Sequence, residues 1–489
     1  MQLIQFGFFM FLFFLGLLTI INIRTGKIPT FFFLSSFPVG IAIWAMGILF
    51  LGVFQIPIRW FTVLPLFSLY VVALFIRAIN LNKFMFNKNE KIGFLITFTI
   101  HAAIFLFFSS YIYNFATPDS FEYIRAGKAF AMLDWNAGAR NYIAFGPLLP
   151  FLETASVLLG LDYLYGLIPT TMGLFLVTII PLFYTGFKLV FTGNNDTFKI
   201  QFFSYKINIT ISALLSLLSV VILASNWFFQ LFAFFIHSNP LAMIYMTFAF
   251  LATWIALEKG DKSWLVLSAI AGFALSISRV ETFFIALLPL IFVIDEKRFS
   301  HKVVRQVFLP GNTLILLWSA RKFIEGIGEQ GSYINQTYNF GIVLISLGAV
   351  LLIIFHPLLY KRKLRLPRIL LIGLSFMLIV FFTLQPAFML NSIKNLYYNL
   401  FNTSTWDYIW YFTLPFFVFC LITPKRKNEG IFRDGIIIYV LLVLAFAFLR
   451  GGGYHARWSD SGNRMIFHIL PLTLFYTISK IITLDSNTQ

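Results

Sequence analysis

The residues best suited to chemistry begin with an acidic pair in the segment TPDSFEY, at 117–123. A carboxylate at Asp119 can hold an acceptor hydroxyl and take its proton, or it can bind a metal ion. Asp119 and Glu122 also have the spacing of a helix capping box, which needs no chemical function. The two roles are compatible, and we expect Asp119 to be catalytic, with Glu122 supporting it or capping the helix.

Arginines form the second group of candidates. A guanidinium stays charged and pairs with phosphate through two parallel hydrogen bonds. Any one of them could instead reach the lipid headgroups from the end of a helix. As a set they gather, with Asp119, on the membrane side that is otherwise poor in basic residues, so they predict a monophosphate or diphosphate site. The candidate phosphate ligands are Arg279, Arg321, Arg450, Arg457 and Arg464.

Other polar residues on the same side are candidates for substrate contact. Among them, His237 opens the motif HSNP, at 237–240, which is typical of a helix start with proline in its first turn. One histidine does not make a metal site, and Cys420 is the sole cysteine, so the cofactor stays unknown and a divalent metal stays open. The candidate contacts are Tyr123, Arg140, His237, Glu281, His455 and Asp460.

The elements that must position these residues are apolar helices. Of the 489 residues, 59% are hydrophobic and 11% are charged. Uninterrupted apolar runs have the length that a helix needs to cross a bilayer, and they lack the alternation of membrane strands, so we predict an all-α polytopic bundle of about 13–15 spans. The chain divides into three N-terminal spans in 1–91 and a catalytic module in 92–484. Its long outer loop, 114–164, carries amphipathic surface helices, including one from Asp119 to Leu133.

The net charge of +17 predicts orientation rather than nucleic-acid binding. With fifteen candidate spans, 25 of the 36 Lys and Arg residues fall in loops on one side, while the acidic residues divide almost evenly. By the positive-inside rule that side is cytoplasmic. Asp119 and the candidate arginines then lie on the opposite, nearly neutral face.

The sequence resembles the GT-C superfamily of membrane glycosyltransferases, which includes protein O-mannosyltransferases and bacterial aminoarabinose transferases. The resemblance covers about residues 92–480 and rests on three places: TPDSFEY with the later GPLLP at 146–150, HSNP followed by Gly272 to Arg279 and Glu281, and Asn463-Arg464 before the last span. Three spans precede the usual first span of this superfamily, and no large soluble domain follows.

The resemblance implies a polyprenyl-phosphate sugar as donor, an acceptor glycan, lipid or protein on the outer face of a bacterial inner membrane, and Asp119 as the catalytic acidic residue. It leaves metal dependence open. Two alternatives remain at this point. A lipid-linked glycan transporter or flippase would use the same arginines, although charges near the bilayer midplane and repeated halves would then be expected. A glycan polymerase or ligase would share the donor chemistry and differ in acceptor.

Overall fold

The chain folds into a bundle made almost entirely of helices. The structure, a computed structural model, describes residues 2–24, 28–83, 86–109, 118–132, 146–164, 167–191, 196–202, 205–233, 237–326, 333–361, 365–402, 406–424, 428–449, 453–457 and 459–485. A short antiparallel hairpin of β1 (Thr197–Phe202) and β2 (Tyr205–Thr210) follows the seventh helix, and the all-α prediction did not include it.

The helices of the first half lead up to this hairpin and continue directly after it. They are α1 (Gln2–Ile23), α2 (Ser36–Val53, preceded by a 3-10 helix at Thr30–Ser35), α3 (Trp60–Asn80), α4 (Lys88–Ser109), α5 (Pro118–Ala131), α6 (Leu148–Leu158), α7 (Leu167–Val190), α8 (Ile211–Ser225) and α9 (Trp227–Ala233).

In the second half of the chain, every regular element that the structure describes is a helix. Its helices are α10 (Ser238–Lys259), α11 (Lys262–Ser276), α12 (Val280–Ile285), α13 (Leu288–Glu296), α14 (His301–Gly326), α15 (Tyr333–Ile354), α16 (His356–Lys361), α17 (Leu366–Leu384), α18 (Pro386–Phe401), α19 (Ile409–Ile422), α20 (Gly430–Leu449) and α21 (Ser461–Asp485).

Within the described residues, nine helices are long and apolar enough to cross a membrane, and five shorter helices are also apolar. This is compatible with an integral multi-pass membrane protein. The apolar run 282–295 is divided into α12 and α13, because the chain turns at Ala286-Leu287 and Pro289 stands in the first turn of α13. The apolar run 369–389 is also divided. Helix α17 ends at Leu384, Gln385 is non-helical with φ −141° and ψ 68°, and Pro386 starts α18.

The N-terminal helices pack into the same bundle as the rest of the chain. Helix α2 contacts α6, α11 and α14. The Trp44 indole N–H donates to the Phe151 carbonyl at 2.8 Å, and the Tyr245 hydroxyl donates to the Pro38 carbonyl at 2.7 Å. Helix α2 therefore forms part of the support for α6 and α10, although it lies in the segment predicted as a separate N-terminal unit.

Two glycines allow α1 and α2 to touch backbone to backbone. A side-chain carbon at Gly16 would overlap the Ser36 carbonyl, and one at Gly40 would overlap the Leu12 carbonyl. Small residues at such crossings are common in membrane bundles, because close backbone approach replaces the hydrophobic effect that is missing in lipid.

We therefore expect Gly16→Ala to lower the free energy of unfolding by about 3 kcal/mol, since the added methyl group forces two helix backbones apart. Thermal unfolding of the purified protein measures this. Gly7→Ala on the same helix is the matched control, because nothing lies within 4 Å of a carbon added there. Equal melting temperatures for the two variants would contradict the close crossing.

Candidate functional site

The site is built around the N-terminus of α10, which is buried along its whole length. His237 is the residue that caps this helix, and its Nδ1 accepts the backbone N–H of Asn239 at 3.2 Å. The unpaired N–H groups of a helix start carry partial positive charge, which favours an anion beside them. The helix start predicted at HSNP is confirmed, since α10 begins at Ser238, two residues before Pro240.

Arg279 reaches this helix end from the turn between α11 and α12. Its backbone is extended there, and its N–H donates to the Thr282 hydroxyl at 3.2 Å. The guanidinium forms an ion pair with Glu281 and donates to the Ser238 hydroxyl at 3.1 Å. Both charged residues are more than nine-tenths buried. Burial alone would lower the pKa of Arg279, and Glu281 more than offsets this, so the pKa is raised and the charge is retained.

Tyr123 brings α5 to the same place. Its hydroxyl and that of Ser238 are 2.7 Å apart, and its ring packs edge-on against the His237 ring. Asp119 lies in the first turn of α5, four residues before Tyr123, so its backbone is one helical turn from the cluster. The contacts of the Asp119 side chain fall outside what the structure describes.

Arg464, near the start of α21, faces His237 from the other side. The Arg464 Nη1 and His237 Nε2 atoms are 3.4 Å apart. A neutral imidazole has one acceptor nitrogen, and Nδ1 already accepts from Asn239, so Nε2 carries the hydrogen. Two donors then face each other across this distance. One oxygen atom of an anion, placed to the side of this pair, could accept from both donors, as a phosphate oxygen would.

A second buried layer supports these residues from behind. The His468 Nε2 atom lies 3.0 Å from the Asn239 amide oxygen, and His468 Nδ1 lies 2.7 Å from the Tyr439 hydroxyl. The Tyr439 hydroxyl is also 3.0 Å from the Met465 carbonyl oxygen. This chain ties α20 and α21 to the first turn of α10. It therefore fixes the separation between the Arg464 end and the Ser238 end of the site.

The turn before α6 holds the Arg279 backbone in place. Gly146 has a φ of +74°, and a carbon added to it would come within about 2.6 Å of Ser278 and the Arg279 nitrogen. Leu148 N–H donates to the Ile277 carbonyl at 2.9 Å. Within GPLLP, the chain turns at Gly146-Pro147 and α6 begins at Leu148.

Asp460 is positioned by backbone contacts. Its carboxylate accepts the N–H of Gly462 at 2.8 Å and that of His455 at 3.0 Å. It thus caps α21 and closes the preceding loop, while the side chains of His455 and Arg457 are exposed. Asp460 fixes where α21 begins, and so where Arg464 stands.

Other predicted phosphate ligands and contacts lie apart from this cluster or outside the described part of the chain. Arg321 donates to the carbonyls of Gly52 and Val53 and so caps the C-terminus of α2. Glu122 is half exposed and lies 3.8 Å from Arg125, one turn along α5. Arg140 and Arg450 lie outside the described residues.

Glu153 is an acidic residue that was not among the site residues predicted from the sequence. It lies on α6, which at 11 residues is too short to cross a bilayer, and it is fully buried against Gly127 of α5. One carboxylate oxygen accepts the Leu164 N–H at 3.1 Å, and the other is buried without a hydrogen-bond partner. Burial raises the pKa of this carboxyl from 4.5 to about 7, against a smaller opposing effect of the Leu164 N–H and Lys128.

This gives a pH-dependent stability. The folded protein binds the Glu153 proton more tightly than the unfolded chain does. The protonated carboxyl therefore contributes stability that is fully present below pH 4.5 and is lost as pH rises to about 7. We expect a loss of about 3 kcal/mol over that range, and Glu153→Gln should remove it. Melting temperatures at pH 5 and pH 8 test this. The difference in melting temperature between Glu153→Gln and wild type should increase from pH 5 to pH 8. The control Glu122→Gln should show no such increase. An unchanged gap for Glu153→Gln would refute the assignment.

The structure adds Ser238, Asn239, Tyr439 and His468 to the predicted residues. Within the described part of the chain, no group of three or more His, Cys, Asp or Glu side chains is close enough to hold a metal ion. Comparison with known protein families, curated proteins and solved structures finds no match to this chain.

Proposed function

We propose that this protein is a membrane glycosyltransferase that moves a sugar from a polyprenyl-phosphate donor to an acceptor hydroxyl on the non-cytoplasmic face. The observation that carries the proposal is the meeting of Arg279, Arg464 and His237 at the N-terminus of α10, beside α5, whose first turn contains Asp119. Placing charged side chains inside an apolar bundle costs free energy, so their presence here supports a functional role.

The charges of the described cluster suit a phosphate group. Glu281 is ion-paired with Arg279, and the guanidinium of Arg464 and the start of α10 both lie beside His237. The paired donors of His237 and Arg464 would bind one phosphate oxygen, and Ser238 with Arg279 lies at the opposite side of the helix end. These donors would stabilise the charge that builds on the departing phosphate during transfer.

The transfer is a single displacement at the anomeric carbon. The acceptor oxygen forms a bond to that carbon while the bond from carbon to the donor phosphate oxygen breaks. The acceptor proton passes to the Asp119 carboxylate, and polyprenyl phosphate leaves with the bonding electron pair. One displacement inverts the configuration at the sugar, through a transition state with oxocarbenium character.

The position of the charges favours an enzyme over a transporter. A carrier needs its binding site near the bilayer midplane, between halves that can rock around it. Here Arg279, Arg464 and His237 all stand at helix ends rather than in helix centres. A polymerase or ligase would use the same donor site, so the acceptor alone separates those activities from the proposal.

The test uses the purified protein in lipid nanodiscs with a panel of polyprenyl-phosphate sugars and simple hydroxyl acceptors. We expect release of polyprenyl phosphate with one donor, coupled to formation of a glycoside of inverted configuration. Release with none of the panel would oppose the proposal. Movement of intact donor across a liposome membrane, without release, would indicate the flippase instead.

A further inference from the structure

Helix α18 connects α17, a candidate membrane span, with the segment that leads into the candidate site. It follows α17, a candidate span of which only a small share is buried, after a break at Gln385-Pro386. Ser392 and Asn399 point inward and are buried, whereas Leu390 and Ile393 are exposed. Met389 and Leu396 are buried on the same side, so the inward face combines apolar packing with two polar groups, while aliphatic side chains are exposed on the opposite side.

The inward face holds the segment that precedes α21. Asn395 donates from its side-chain amide to the Tyr454 carbonyl at 2.6 Å, and Asn399 donates to the His455 carbonyl at 2.8 Å. The Ser392 hydroxyl accepts the Tyr454 N–H at 3.4 Å. These three side chains are three and four residues apart, which places them on one face of the helix.

The segment held in this way leads to the candidate site. The N–H of His455 is bound by Asp460, Asp460 caps α21, and Arg464 stands in the first turn of α21 opposite His237. The Tyr454 hydroxyl donates to the Val443 carbonyl, which fixes the other side of the segment to α20. A shift of α18 would therefore be passed to Arg464 through hydrogen bonds between backbone and side chains.

The outward face has the composition of a membrane interface. Leu390, Ile393 and Tyr397 are exposed, with Lys394 among them, and Tyr408 and Tyr411 extend the surface beyond the end of α18. Tyrosine and lysine beside aliphatic residues are typical of the headgroup level of a bilayer. Helix α17, which immediately precedes α18 in the chain, also exposes apolar side chains, including Phe376 and Ile379.

We propose that α18 is an interfacial helix whose exposed face binds the headgroup–acyl boundary of the outer leaflet and whose buried polar groups position residues 453–457. The partner is the lipid surface. Ser392, Asn395 and Asn399 are positioning residues, because they act on Arg464 only through the backbone they hold. This goes beyond the proposed transfer and does not depend on it.

The first experiment measures the depth of α18 in nanodiscs. A fluorophore is attached at Ile393→Cys in a Cys420→Ala background, and the lipids carry bromine either near the headgroup or near the chain end. An amphipathic helix sits a few ångströms below the headgroups, so we expect quenching by shallow bromine to exceed quenching by deep bromine about twofold. A probe at Phe376→Cys, in the middle of α17, is the control and should show the opposite order.

The second experiment measures amide hydrogen exchange of residues 453–457 in detergent and in nanodiscs. Wild type should exchange more slowly in nanodiscs, and Asn395→Ala/Asn399→Ala should exchange about tenfold faster there and lose the difference between the two media. Asn391→Ala, an exposed asparagine of the same helix, should match wild type. A purely structural role would give faster exchange in both media and leave their difference unchanged.

Two results would overturn the proposal. The Ile393 probe could escape quenching by either lipid, which would indicate cover by a protein partner or a second copy of the chain. Alternatively, segment 453–457 could exchange equally in detergent and nanodiscs in the wild type. Neither readout involves sugar transfer, so their failure is distinct from failure of the proposed enzyme.

Discussion

Replacing Asp119 with asparagine is expected to reduce the rate of sugar transfer by about 10²–10⁴-fold, because the amide cannot take the proton of the attacking hydroxyl. Asparagine keeps the size of the side chain, and Asp119 lies inside the first turn of α5 rather than at its N-cap, so the fold should be retained. Initial rates of polyprenyl phosphate release, measured beside thermal unfolding, separate the two effects. Binding of the donor should change little, since the phosphate is held by other residues.

The matched control is Asp162→Asn, an exposed carboxylate in the segment that follows α6. It tests whether removal of any one negative charge from this region slows transfer. We expect its rate to equal that of wild type. Normal transfer by the Asp119 variant would remove this residue from the mechanism.

Local features of the site could be predicted from the sequence because short-range rules govern them. The helix that contains Asp119, the helix start at His237 and the turn between α11 and α12 all follow from proline positions, capping residues and apolar length. Arg279 and Glu281 are two positions apart in the chain at one turn, so the sequence alone places them close together.

The assembly of the site could not be predicted in this way. Tyr123 and Ser238 are 115 residues apart, and His237 and Arg464 are 227 apart, so their contacts depend on how whole helices pack. Tyr439 and His468 lie inside apolar helices, where a single polar residue gives no sign of its partner. The sequence also could not distinguish Arg279, which joins the cluster, from Arg321, which caps α2.

Glu153 could have been found from the sequence. It is the sole charged residue in the apolar run from Gly146 to Gly160, and an acidic residue in such a run needs a partner or a function. The sequence does not show why a buried carboxyl is tolerated at position 153. Gly127 leaves room for the Glu153 side chain between α5 and α6, and this packing of one helix against the next does not follow from the apolar pattern.

Replacing Arg279 with methionine is expected to lower the free energy of unfolding by about 3–5 kcal/mol, because Glu281 is left as an uncompensated buried charge. Donor binding should fall as well, since the Ser238 end of the site loses its cation. Thermal unfolding and equilibrium binding of the polyprenyl-phosphate sugar measure the two losses separately.

The double variant Arg279→Met/Glu281→Leu decides whether the ion pair serves the fold or the site. Replacing both members of a buried pair by apolar residues is often neutral for stability, so the double variant should recover most of the lost free energy. Binding of the donor should not recover, because the phosphate would still lack the guanidinium. Recovery of both would show that Arg279 matters only through Glu281. Recovery of neither would mean that the Arg279 contact with Ser238, rather than the charge balance, holds α10 to α12.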